Sequence, residues 1–121
     1  MGGKNYSDLL AWQKAVDLVC DVYADTSSFP PDERFGLTSQ VRRASVSIAA
    51  NIAEGQGRAS RNEFVHFLSI AHGSLRELET HIIIANRLRF LEDAKRESLI
   101  NQAHEVGRLI SGLARALKDP A

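Results

Sequence analysis

An apolar period close to 3.6 residues runs through nearly the whole chain, and this pattern decides what the chain can fold into. It breaks at Pro30 and Pro31, at Gly55 and Gly57, and again near residues 89–92. In the first segment, about residues 8–24, Leu9, Trp12, Val16, Val19, Cys20 and Tyr23 recur at helical steps. Ser7 or Asp8 is its expected N-cap. In the second, about 38–54, Val41, Ala44, Ile48 and Ile52 hold the period. Their neighbours Ser45, Ser47, Ala49, Ala50 and Ala53 are small, so this helix is expected at the centre, close to several partners. Gly55 and Gly57 are expected to terminate it.

The third segment, about 62–88, opens on Ser60-Arg61-Asn62-Glu63, which reads as a capping box. Phe64, Phe67, Leu68, Ala71, Leu75, Leu78, Ile82, Ala85 and Leu88 follow at helical spacing. Gly73 inside it is about 1 kcal/mol worse than Ala, so a close backbone contact is expected there. The fourth, about 93–118, carries Leu99, Ala103, Val106, Leu109 or Ile110, Leu113 and Leu117. The β-branched stretches at 46–48 and 81–85 lie inside longer helical patterns, so no strand is expected. Four amphipathic helices with short connections predict an all-α, antiparallel, up-down-up-down four-helix bundle. One domain over residues 1–121 is expected.

Composition narrows the function. Apolar residues make up 44% and charged residues 25%, which is globular rather than disordered composition. Cys20 is the single cysteine, which excludes an intramolecular disulfide and a cysteine cluster within one chain. Its neighbours Asp17 and Asp21 do not activate a thiol, so a small buried hydrophobe is expected. No apolar run approaches the roughly 20 residues that span a bilayer, and residues 1–8 hold no hydrophobic signal region. A cytoplasmic protein with no membrane partner is expected.

The chain has 15 basic and 15 acidic residues, which excludes a uniformly basic nucleic-acid coat. The charge is segregated, however. Residues 1–33 hold two bases and six acids, a net of −4, and residues 34–61 hold five bases and one acid, a net of +4. Residues 62–121 balance eight against eight. Arg42, Arg43, Arg58 and Arg61 therefore admit two readings. They pair with acids of neighbouring helices or subunits, or they form a phosphate-binding patch. No aromatic residue lies among them to stack a base.

Several polar residues fall near expected core positions: Gln40, Ser45, Asn51, Glu54, Glu77 and Glu79. A buried carboxylate needs a partner, so Gln40, Asn51, Glu54, Glu77 and Glu79 are read as a structural polar network. Glu63 and His66 give one Glu-x-x-His, whereas a di-metal bundle needs two with two further glutamates. Glu77 and His81 have the wrong spacing. Gly55-Gln56-Gly57 lacks the strand and lysine of a phosphate loop. No metal, cofactor or small-molecule substrate is expected, and no catalytic set is evident.

Five pieces of the chain together resemble a known family. They are residues 8–15 (Asp-Leu-Leu-Ala-Trp-Gln-Lys-Ala), 35–44 (Phe-Gly-Leu-Thr-Ser-Gln-Val-Arg-Arg-Ala) and 46–55 (Val-Ser-Ile-Ala-Ala-Asn-Ile-Ala-Glu-Gly). Residues 67–74 (Phe-Leu-Ser-Ile-Ala-His-Gly-Ser) and 77–80 (Glu-Leu-Glu-Thr) complete the set. Their order and spacing over about residues 5–90 resemble the four-helix bundle proteins encoded in intervening sequences of bacterial 23S ribosomal RNA genes. The chain also looks like the accessory proteins of diversity-generating retroelements, which are strongly basic where this chain is neutral. The resemblance implies a bundle that assembles into a homo-oligomeric ring, typically a pentamer. It implies no catalysis and points to RNA or DNA, or a protein that handles them, as partner.

The complementary charges of the first two segments suit head-to-tail subunit contacts. Arg42 or Arg43 is accordingly expected to pair with an acid in another helix or subunit. The alternatives are a protein-interaction scaffold without nucleic-acid contact and a metal-dependent bundle enzyme.

Overall fold

The computed structural model describes residues 5–118, and four helices account for most of them. Helix α1 is Leu10–Thr26, α2 is Leu37–Gln56, α3 is Arg61–Arg87 and α4 is Asp93–Lys118. Short 3-10 turns, Tyr6–Asp8 and Pro31–Glu33, precede α1 and α2. Each helix packs on the next in sequence, and α4 closes on α1.

The pairings across the bundle fix the directions. Ser47 bonds Ser74 across α2 and α3, and Gly55 lies against Phe67, so these helices run antiparallel. His72 bonds Ser111 and Glu79 approaches His104 across α3 and α4, again antiparallel. Asp25 lies in the field of Lys95, and Asp17 and Asp21 share a surface cleft with Gln102 and Glu105. Helix α1 therefore opposes α4 and, by the same chain of directions, α2. The result is an all-α, up-down-up-down four-helix bundle.

Most of the expected stripes of α2, α3 and α4 supply the core: Val41, Ile48, Ile52, Leu68, Leu78, Ile82, Leu99, Val106 and Ile110 are all inaccessible, whereas Leu88, at the C-cap of α3, is exposed. Helix α1 differs. It buries Ala11, Ala15, Leu18 and Val22, while Trp12, Val16 and Val19 are half-buried and Cys20 and Tyr23 are exposed. Two apolar stripes run side by side on α1, and the narrower one, with two alanines, faces inward so that the helix can approach closely. The expectation of a buried Cys20 is corrected by this rotation.

The helix ends explain the remaining differences. Neither Ser7 nor Asp8 caps α1. Both belong to the 3-10 turn, where the Asn5 side chain accepts from the Ser7 N–H and Asp8 accepts from the Asn5 N–H. Helix α2 starts with Glu33 Oε1 accepting the Leu37 N–H at 3.0 Å, a carboxylate placed at a positive helix end. Ser60 caps α3 by accepting the Glu63 N–H at 3.1 Å.

Gly55 does not terminate α2. It is buried inside the last turn, and a Cβ there would stand 2.8 Å from the Phe67 Cβ and 3.0 Å from the Phe64 ring. Only glycine lets α2 and α3 meet at that point, and Gly57 provides the C-cap. Gly73, expected to mark a close contact, is exposed with nothing within 4 Å of a Cβ. At the end where the α1–α2 and α3–α4 connections meet, Phe29 and Phe90 pack 5.9 Å apart.

Candidate functional site

The four arginines singled out by the charge pattern do not converge. Arg42 is half-buried and ties α2 to the end of α1. Its Nε donates to Thr26 Oγ1 at 2.9 Å, and its guanidinium lies 4.6 Å over the Tyr23 ring. Its partners in the chain are a hydroxyl, a carbonyl and a ring rather than an acid. The acids of α1 explain this: Asp17, Asp21 and Asp25 sit toward α4, on the far side of α1 from Arg42. Arg58 bonds Glu54 at 2.9 Å and covers the Phe67 ring at 4.7 Å. Arg43 and Arg61 are exposed. Arg43 precedes Arg58 by fifteen residues, about 22 Å at a helical rise, so the two pairs are separate surfaces.

The polar residues also divide. Asn51 is half-buried and donates to the Ser47 carbonyl at 2.8 Å and to Ser47 Oγ at 3.0 Å, and Ser47 bonds Ser74 at 2.8 Å. Glu79 is half-buried with His104 3.8 Å away. Gln40, Glu54 and Glu77 are exposed. Ser45 is fully buried and returns its hydroxyl to the Arg42 carbonyl.

A second basic surface, absent from the charge pattern, lies between α3 and α4. Val65, Ser69, His72, Arg76 and Glu79 face it from α3. His104, Arg108, Ser111, Arg115 and Lys118 face it from α4. Two adjoining cavities of about 520 and 340 Å³ run along this crevice and share His72, Arg76, Ser111 and Arg115. Among the described residues, Arg76, Arg108, Arg115 and Lys118 meet one acid there, Glu79. Gly107 lets the helices close on each other, since a Cβ at that point would stand 3.1 Å from Leu75 Cδ2. His72 Nε2 and Ser111 Oγ, 2.9 Å apart, bridge the two helices. Burial holds the His72 imidazole below its usual range, the Arg76 charge adds to this, and Glu79 opposes it.

The signal for this groove was present in the sequence as two matched spacings. Each helix places its groove residues at i, i+4, i+7, i+11 and i+14, one face of a helix. The balanced charge of residues 62–121 concealed it, because Glu92, Asp93, Glu97 and Glu105 lie outside the groove. The opposite flank of α4 is acidic: Glu105 faces Asp17 and Asp21 of α1, with Lys14 the one base among them.

Among the described residues, no group of three or more His, Cys, Asp or Glu side chains could hold a metal. No described helix is long and apolar enough to cross a membrane. Fold and surface together define a four-helix bundle with charged crevices between its helices. The chain belongs to the 23S rRNA-intervening sequence protein family, whose model matches residues 7–112. A crystal structure of a protein of unknown function from the S23 ribosomal protein family of Bacteroides thetaiotaomicron has the same fold. Its TM-score is 0.78 at 23% identity, over 88% of this chain and 99% of that one. No curated protein matches the chain.

Proposed function

We propose that the chain is a non-catalytic, cytoplasmic subunit that assembles with its own copies into a ring, a homopentamer, and that the ring holds RNA or DNA. The outer face of α2 and α3 carries this reading. Val46, Ile70 and Ile84 are 42%, 38% and 41% exposed there. Gly73 lies on the same face with open space above it. The Ser47–Ser74 bond sets the register, which brings Arg43 level with Glu77 and Ala50 level with Ile70. A face of apolar and small residues rimmed by charged and polar side chains, among them Arg43, Glu54 and Glu77, has the composition of a subunit contact. In the ring, the exposed Gln40, Glu54 and Glu77 extend their polar network across the contact, and Arg43 meets an acid of the next subunit. Arg61 and the free edge of Arg58 remain for phosphate. Kinship with retroelement accessory proteins is part of the same reading and rests on the shared sequence pieces.

Arg43→Glu tests the contact. Sedimentation velocity should show the variant moving toward monomer mass, and an unchanged mass counts against the assignment of Arg43. A scaffold without nucleic-acid contact is the second reading. The intramolecular commitments of Arg42 and Arg58 and the zero net charge favour it.

A further inference from the structure

We propose that the groove between α3 and α4 binds the phosphodiester backbone of a single-stranded nucleic acid, an inference that rests on the nucleic-acid reading above and gives it a location. The charge argument comes first. Arg76, Arg108, Arg115 and Lys118 are exposed along the groove, and among the described residues none of them takes part in an ion pair. Among the described residues Glu79 is the one acid, and it lies at one end beside His104. Unneutralised arginines on a concave surface suit phosphate oxygens, which accept two parallel N–H bonds from a guanidinium.

Shape comes second. The two adjoining cavities form one continuous trough between α3 and α4, with cations on both banks. From His104 to Lys118 the groove runs about 21 Å along α4, long enough to follow several successive phosphates.

The floor supplies hydrogen bonds rather than further charge. His72, bridged to Ser111, faces Arg76 and Glu79 on its own helix and His104, Arg108 and Arg115 on α4. No aromatic residue lines the groove among the described residues, so bases are not stacked and strands are held without regard to sequence.

Fluorescence anisotropy of labelled oligothymidylate and oligouridylate against increasing salt tests this on the full chain. Four cations on a single strand give a slope of log affinity against log salt of about −2.8. Arg108→Gln/Arg115→Gln should halve the slope to about −1.4 and weaken low-salt binding at least about tenfold. The two strands should bind within about threefold of each other, because phosphate is common to both. An unchanged slope in the double variant overturns the groove and leaves the nucleic-acid reading standing. Binding of only one strand type also overturns recognition through phosphate. No binding by the unaltered chain overturns both, and a fall in oligomer mass of the double variant would then assign the groove to a second copy. If the double variant fails to fold, Lys118→Gln serves in its place, with a slope shallower by about 0.7.

Discussion

Arg42 and Arg43 are adjacent in sequence and do different work. One step around α2 turns Arg42 onto Thr26 and Tyr23, where it staples two helices, and leaves Arg43 in solvent. Composition marks both residues as cations, but only packing separates the tie from the free charge. His72 carries a residue-scale consequence. Burial first, and Arg76 second, hold its folded pKa below the unfolded value of about 6.5. The folded state then binds fewer protons than the unfolded chain in that region, so stability rises with pH and falls as pH drops below about 6.5. His72→Gln keeps a partner for Ser111 and removes the titration. Urea unfolding should show the unaltered chain losing more stability than the variant between about pH 7 and pH 5. Parallel curves would contradict this account of His72.

At the scale of elements, most of the bundle was legible because each helix writes its own face into the sequence. The core stripes of α2, α3 and α4 were readable since each holds the helical period along most of its length. Helix α1 offers two rows, and the choice between them depends on how closely α2 and α4 approach, which no local pattern records. Gly55 and Gly73 show the same limit. A glycine's purpose lies in what stands opposite it: Phe64 and Phe67 for one, open space for the other. The α3–α4 turn was likewise hidden. Arg89 N–H bonds the Asn86 carbonyl, and Phe90 N–H bonds the Ala85 carbonyl at 2.9 Å, the paired pattern of a Schellman end. That motif puts Arg89 at φ 67°, where glycine is usual. Asn86 secures the turn by donating to the Leu91 carbonyl and to Asp93 Oδ1, a bond that keeps the Asp93 carboxyl below its usual range. Left-handed backbone disfavours a side chain by about 1–2 kcal/mol, and glycine forfeits about 0.5–1 kcal/mol in chain entropy. Arg89→Gly should therefore raise unfolding stability by about 0.5–1 kcal/mol, read from the urea midpoint. A lower midpoint would mean that the arginine side chain makes a contact worth more than the strain.

At the scale of the whole molecule, the zero net charge proves to be an arrangement. The acids of α1 and Glu105 line one flank of α4, and the cations of the α3–α4 groove line the other. Segment sums along the chain found the acidic helix and the arginine-rich stretch. They missed the groove, since its cations come from two helices that also carry acids on other faces. A third surface, the apolar outer face of α2 and α3, stands apart from both. Under the proposal that this face is the contact between subunits, the molecule is a component of a ring rather than a free bundle. Light scattering on the purified chain, coupled to size separation at low micromolar concentration, measures this directly. A homopentamer gives a mass near 67 kDa, five times the 13.3 kDa of one chain. A mass of 13.3 kDa under those conditions would contradict it.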